Sequence, residues 1–241
     1  MNPLYISVFE NEPNVRAFFS TKEGSSLKSP YYNESVLKEL NLLKYPIIWP
    51  TQVHKDHIEV IKDTTFKTSF GSSTRIICPG TDGLVTNCTG VVLTTVHADC
   101  LAVFFYDPFK KVIGLVHAGW RGSSLGIAVN AVNIMKKEFS CNPKDILCFI
   151  SPGISQCCFE TGPEVLATFQ EKWEWAEEYS IKKGDKNYLD LKGINARQLS
   201  LSGVNKIQVS EFCTCCSSDI FCSYRKEAGI TNRMGAGISL I

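Results

Sequence analysis

Four histidines, His54, His57, His97 and His117, all fall between residues 54 and 117, and the rest of the chain has none. Cys100 lies among them in Val96-His97-Ala98-Asp99-Cys100, and His117 opens His117-Ala118-Gly119-Trp120-Arg121-Gly122. Imidazole and thiolate are donors that suit zinc. A set of two histidines and one cysteine leaves the fourth tetrahedral position open for water or substrate, as in catalytic and not structural sites. His54, Cys100 and His117 are the candidate set. Spacing alone also admits a second reading, two satisfied core histidines beside an inert buried thiol, because the three residues are dispersed. Asp99 could act as acid or base, or orient His117 from behind the metal. Cys100 with His117 as base is also the pair that a cysteine amide hydrolase needs. Beside Lys55-Asp56, His57 is expected at the surface. His97 is expected to be packed or exposed, with a donor to substrate as the alternative.

The eleven cysteines are odd in number, in a chain too long to need cross-links. They read as reduced thiols of a cytoplasmic protein plus one or two metal ligands. Cys213-Thr214-Cys215-Cys216, taken as a CxCC run, lacks the gap of a zinc knuckle. With Cys222, Cys157 and Cys158, it is expected to supply buried thiols and no second zinc site.

The elements that must position these residues follow from apolar patterning. Val91–Val96, Leu101–Tyr106, Val112–Val116 and Ile146–Ile150 have the length and the β-branched or aromatic content of buried strands, and Asp107-Pro108 marks a turn. Leu125, Ala128, Val132, Met135 and Phe139 recur at helical spacing, which predicts one helix over 123–139 capped by Ser123 or Ser124. Pro163 suits the first turn of a helix through Val165, Leu166 and Phe169. Leu191, Ile194, Leu199 and Leu201 predict another, stopped by Gly203. Ile207–Val209 and Gly237–Ile241 are expected as late strands. Residues 20–35 read as a loop, and the charged run 171–186 as a solvated helix end and connection. Strands and helices mix without strict alternation, so the fold class is α+β, one domain over residues 1–241.

Composition narrows the function. Hydrophobic residues make up 44%, charged residues 20%, and the formal net charge is +1. With no basic run, nucleic acid and anionic membrane are not expected partners. No apolar stretch reaches the ~18 residues of a membrane span. The first residues lack the basic start of a secretory signal.

The motifs Thr51-Gln52-Val53-His54, Asp82-Gly83-Leu84-Val85-Thr86, Ala98-Asp99-Cys100 and His117-Ala118-Gly119-Trp120-Arg121-Gly122 resemble, in order, those of the YfiH-type family, also labelled laccase-domain protein, polyphenol oxidase or peptidoglycan editing factor. Ser151-Pro152-Gly153-Ile154, Cys158-Phe159-Glu160-Thr161-Gly162, Cys213-Thr214 and Ser223-Tyr224-Arg225 continue the match. The resemblance spans about residues 15–240. It implies a layered mixed α/β domain with a zinc triad of His54, Cys100 and His117. It also implies a purine nucleoside phosphorylase with adenosine deaminase activity, taking adenosine, inosine or methylthioadenosine, with phosphate as co-substrate. Ser20-Thr21-Lys22-Glu23-Gly24-Ser25 stands where the family reads STRxGG, with Lys22 in place of arginine as a candidate substrate contact. The loop that follows lacks the family's SLNLG pattern, with Asn33 as a stand-in, and His97 stands where a smaller residue is usual. For that chemistry, the amides of the helix near Ser123 together with Arg121 form a candidate phosphate site. The bland alternative packs Trp120 in the core and puts Arg121 in a structural ion pair. Tyr224 and Arg225 are candidates to stack on or hydrogen-bond the nucleoside. Copper polyphenol oxidation is the less favoured cofactor chemistry, because several copper ions need more than four imidazoles. A peptidoglycan-editing cysteine hydrolase and a non-catalytic metal-stabilised module are the other rivals. The sequence leaves the oligomeric state open.

Overall fold

The computed structural model describes residues 2–25, 34–63, 69–70, 73–229 and 232–241. Asn33 and most of the loop expected over 20–35 lie outside the described residues. The described strands form three sheets. The first joins β1 (Tyr5–Val8), β2 (Val15–Ser20), β3 (Ile47–Pro50), β5 (Ser69–Phe70), β6 (Ser73–Cys78), β8 (Val92–His97) and β16 (Met234–Leu240) in the order β1-β2-β16-β8-β3-β6-β5. The second joins β4 (Ile58–Ile61), β7 (Gly83–Thr86), β9 (Leu101–Asp107), β10 (Val112–Ala118), β11 (Leu147–Ile150) and β15 (Lys206–Val209) in the order β15-β11-β9-β10-β7-β4. A small third sheet has the order β12 (Glu160–Thr161), β14 (Lys186–Leu189), β13 (Ser180–Lys183). The helices are α1 (Glu34–Glu39), α2 (Trp120–Leu125), α3 (Ile127–Phe139), α4 (Pro163–Gln170) and α5 (Leu191–Leu201).

Alternation along the two longest central strands explains the layering. Every residue of β9 and β10 is buried. From these strands Phe104, Tyr106, Ile113 and Leu115 pack with Phe19, Ile48, Leu93 and Ile238 of the first sheet. On the opposite face Val103, Phe105, Val112 and Val116 pack with Ala128, Val132 and Met135 of α3 and Ile194 and Leu199 of α5. Burial on both faces is why these strands read as unbroken apolar runs. The first sheet covers its other face with α1, through Phe18, Ile47 and Val92 against Val36 and Leu37. The result is four layers, α1, sheet, sheet and helices, in the expected α+β class. Among the described residues no helix is long and apolar enough to cross a membrane.

The single helix expected over 123–139 is two helices. Gly126 closes α2 and opens α3 at φ +83°, a left-handed turn that breaks the periodicity between Leu125 and Ala128. Leu125 points outward, 42% exposed. Neither serine caps a helix. Ser123 Oγ accepts from Asn195 Nδ2 at 2.9 Å, and Ser124 Oγ donates to the Arg121 carbonyl at 2.9 Å. The carbonyls at the end of α2 are met from outside, by Trp173 Nε1 on Ser124 (2.8 Å) and Lys172 Nζ on Leu125 (2.6 Å). These bonds satisfy acceptors that a helix end leaves unpaired.

The charged run 171–186 is more structured than expected. A 3-10 turn (Glu174–Tyr179) leads into the β13–β14 hairpin, which reverses at Gly184 with φ +59°. Polar, mostly exposed residues on β13 gave no alternation to detect. At α5 the expectation holds. Asp190 caps it by accepting from the Gly193 N–H at 3.0 Å, and Gly203 follows its end at φ +95°.

A Cβ at Gly126 would sit 2.9 Å from Trp173 Cζ2, on a backbone that disfavours side chains. Gly126→Ala is expected to lower stability by about 1–3 kcal/mol in urea unfolding, where exposed glycines in helical φ/ψ gain from the same change.

Candidate metal centre

His54 is set by an irregular loop after β3. Gln52 and His54 both hold positive φ, 51° and 59°. The Gln52 amide pins the loop to β8, donating to the Val96 carbonyl and accepting from the Val96 N–H, both at 2.8 Å. Cys100 sits between β8 and β9, after Asp99 at φ +77°. His117 lies near the end of β10, opposite Ala102 of β9. Non-glycine residues with positive φ cost energy, and three of them gathered at one cleft suggest a functional constraint.

These elements bring His54, Cys100 and His117 together, with their donor atoms all within 4.8 Å of one another. The His54 and His117 rings meet edge to face at 4.8 Å between centroids. Asp82 is the organiser that sequence reading did not assign. Its fully buried carboxylate accepts from His117 Nδ1 and the His54 N–H on one oxygen, both at 2.9 Å. On the other oxygen it accepts from the Val53 N–H (3.1 Å) and the Lys55 N–H (2.9 Å). The carboxylate thus fixes the His117 proton on Nδ1 and leaves Nε2 as the ligand nitrogen, the usual outer support of a metal-bound histidine. Asp99 does not orient His117.

The charges at the site follow from this contact set. Burial alone would push the Cys100 thiol up, but the His117 and His54 imidazoles outweigh it and bring it down to about 6. Burial likewise opposes a charged His117, and the Cys100 thiolate and Asp82 carboxylate overcome it, raising the imidazole to about 9. With His117 charged, the metal-free site pairs a thiolate with an imidazolium, and a metal ion would take the place of the His117 Nε2 proton to give the two-imidazole, one-thiolate donor set that suits zinc. Space is kept for an ion as well. A Cβ on Gly119 would lie 3.1 Å from Cys100 Sγ, 3.4 Å from His54 Cδ2 and 3.7 Å from His117 Cε1. Tetrahedral edges for zinc with two nitrogens and one sulfur run about 3.3–3.6 Å, within easy side-chain adjustment.

The other histidines are spoken for. His97 is buried, with Nδ1 at 3.2 Å from the Cys100 carbonyl and Nε2 at 2.7 Å from Thr95 Oγ1. A carbonyl only accepts, so Nδ1 carries the hydrogen and Nε2 accepts from Thr95. Burial, then the charge on His117, hold His97 well below its usual range, hence neutral. His57 is on the surface, 3.6 Å from Glu59.

The triad faces a cavity of about 730 Å³ that Asp99, Trp120, Arg121, Phe159, Tyr224 and Arg225 also line. Asp99 accepts from Thr214 Oγ1 at 2.6 Å and from the Arg225 N–H at 2.7 Å. The Arg225 guanidinium is committed to the cavity wall, donating to the carbonyls of Cys158 and Glu160 at 3.0 Å each. Arg121 is exposed, stacked 4.2 Å from the Trp120 ring centroid, and not in the ion pair of the bland alternative. Lys22 lies elsewhere. It pairs with Glu227 at 2.7 Å and donates to the Ser218 carbonyl at 2.6 Å, in a separate, smaller pocket. A lysine shorter in reach than a guanidinium fork is held there by a carboxylate, so it is not brought to the cavity.

The layered sheets and the converging thiolate and imidazoles define a mixed α+β protein with one open mononuclear donor set at this cavity. The chain belongs to the family described as multi-copper polyphenol oxidoreductase laccase, which matches residues 19–241. Its fold matches the crystal structure of the Bacillus licheniformis hypothetical protein YfiH with a TM-score of 0.84 and 29% identity, covering 99% of this chain and 97% of that one. It is 37% identical over 168 residues to purine nucleoside phosphorylase YlmD of Geobacillus stearothermophilus, a match covering 66% of this chain and 60% of that protein. A purine nucleoside phosphorylase of Bacteroides thetaiotaomicron is 29% identical over 236 residues, 95% of this chain and 87% of that one.

Asp82→Asn turns one acceptor oxygen into a donor facing N–H groups. It is expected to reduce zinc affinity roughly 10–100-fold and stability by about 3–5 kcal/mol. Competitive chelator titration and denaturant unfolding measure the two effects separately.

Proposed function

We propose that this chain is a cytoplasmic, zinc-dependent purine nucleoside phosphorylase that also deaminates adenosine. The observation that carries the reading is the Cys/His₂ donor set opening on a cavity with aromatic faces and a solvent-facing guanidinium. The names of the relatives support it, and eleven free thiols agree with a reducing compartment.

A cavity of about 730 Å³ suits a nucleoside with phosphate. Trp120, Phe159 and Tyr224 offer ring faces to a purine. Arg121, held over the Trp120 ring, is the group for phosphate, through a charge-assisted fork. Helix α2 opens at Trp120, ahead of the start near Ser123 expected from sequence, and runs for six residues. In phosphorolysis a phosphate oxygen bonds to the ribose C1′ as the bond to the purine breaks, and the leaving base takes a proton. In deamination water replaces the C6 amino group and ammonia leaves. Zinc held by His54, Cys100 and His117 would supply Lewis-acid stabilisation of charge building on oxygen. Asp82 keeps His117 in the ligating tautomer. Asp99, with one bond on each oxygen, holds Thr214 and the Arg225 backbone and serves as a positioning residue, with proton transfer the further role to test.

Cys100, His117 and Asp82 also line up as nucleophile, base and orienter, which favours the cysteine hydrolase as the second reading. His54 beside the same sulfur argues for a ligand set instead. Multi-copper chemistry fits the donors less well, since only two of the four imidazoles reach the site.

Metal-analysed protein incubated with adenosine, inosine and methylthioadenosine, with and without phosphate, tests the reading by chromatography of products. Free base released only with phosphate, and inosine formed from adenosine, are expected, both lost on chelation or in Cys100→Ala. Amide hydrolysis that survives chelation would establish the hydrolase instead. Arg121→Ala is expected to lower kcat/KM for phosphate at least ~10-fold, the loss of a charged hydrogen bond of about 1.5–3 kcal/mol, while deamination stays within about twofold.

A further inference from the structure

Four cysteines outside this site converge as well. Cys157, Cys158, Cys213 and Cys216 place their sulfurs all within 4.8 Å of one another. Cys213 is buried as expected from sequence, but Cys157 and Cys216 are exposed and Cys158 is half-buried. Read as CxCC, the run 213–216 hid the two-residue gap between Cys213 and Cys216. The second pair, Cys157-Cys158, comes from a loop far away in sequence. We propose that these four thiols bind one zinc ion as a tetrathiolate that staples the wall of the catalytic cavity.

Geometry supports a single ion. Cys216 Sγ lies 3.6 Å from Cys157 Sγ and 3.4 Å from Cys158 Sγ. A zinc–sulfur bond of about 2.3 Å gives tetrahedral edges near 3.8 Å, whereas a disulfide needs about 2.05 Å. All four cysteines are free thiols. Soft thiolates in such a set select zinc over harder ions. Four protein sulfurs close the coordination shell, the mark of a structural site, in contrast to the open triad.

The surroundings are built for sulfur charge. The Ser155 N–H donates to Cys213 Sγ at 3.4 Å. Lys192, 5% exposed and tied to the carbonyls of Ser210 (2.9 Å) and Phe212 (2.7 Å), places its ammonium within electrostatic reach of Cys213 and Cys157. It offsets part of the double negative charge a zinc tetrathiolate carries.

The place of the cluster gives it a task. Thr214, next to Cys213, donates to Asp99, and the Cys158 carbonyl accepts from Arg225. Phe159 and Glu160, next to Cys158, line the cavity. Zinc here would join the loop before β12 to the loop after β15, and hold Asp99 and Arg225 in register with the triad.

The test uses the Cys100→Ala chain, in which this cluster is the one group of three or more metal donors left intact among the described residues, so its outcome does not depend on the proposed reaction. Mass spectrometric metal analysis is expected to find one zinc per chain, lost when Cys213→Ser and Cys216→Ser are added. Cobalt(II) in its place is expected to give the strong sulfur-to-metal charge transfer of four thiolates. Alkylation mapping of the unmutated, zinc-replete protein covers the case of a variant that fails to fold. Cys157 and Cys216 are expected to resist iodoacetamide despite their exposure, and to react at least tenfold faster after chelation. Absence of stoichiometric zinc in Cys100→Ala, alkylation as fast as for an unprotected exposed thiol, or disulfides among the four would each overturn the proposal.

Discussion

The carboxylate of Asp82 has no exposure, and its two oxygens take four hydrogen bonds, three from consecutive backbone N–H groups of residues 53–55 and one from His117. Burying a charge costs several kcal/mol unless it is paired and fully bonded. Here the same bonds that offset that cost shape the candidate metal centre. They fold the segment carrying His54 into positive φ, and they set the tautomer of His117. Asp82 immediately precedes β7, and its backbone also accepts from the His117 N–H at 2.7 Å and donates to the His57 carbonyl at 3.0 Å. One residue therefore ties the loop that carries His54, the neighbouring strand and the His117 ring into a single unit.

The two central sheets exist, in this account, to keep that unit rigid. β9 and β10 pair over seven residues, from Asp107 opposite Val112 to Leu101 opposite Ala118, with apolar layers on both faces. Their adjoining ends carry Cys100 and His117. Interiors packed to crystal-like density deform little, so the spacing of the two donors is inherited from strand register. His54 comes from a loop, and it is the loop that needs Asp82 and the Gln52 clamp. The cavity wall opposite is made of shorter, more polar elements, and the Asp99, Thr214 and Arg225 bonds hold it there.

Much of this was legible in the residues. The unbroken apolar runs gave β8 through β10 within a residue or two, while the dispersed His54, Cys100 and His117 stood out as a set chiefly through the family resemblance, and the structure brings their donor atoms together. What escaped did so for physical reasons. Asp82 opens the motif Asp82-Gly83-Leu84-Val85-Thr86, and nothing local says that its side chain turns inward. Gly126 breaks a helix whose periodicity runs on through Val132, because the break is set by Trp173 and Lys172 from another segment. The third sheet pairs strands with exposed faces, so it leaves no apolar alternation. The thiol cluster needs two loops 58 residues apart to meet, and contact at that range is a property of the fold.

The proposed centre has three donors sharing one ion, with Asp82 behind one of them. Anomalous diffraction at the zinc edge from crystals of the zinc-loaded protein tests this most directly. It should place a peak about 2.3 Å from Cys100 Sγ and about 2.0–2.1 Å from nitrogens of His54 and His117, with Asp82 on His117 Nδ1. Zinc-loaded crystals with no density between these side chains, or with His117 turned away from Asp82 to reach the ion, would contradict it.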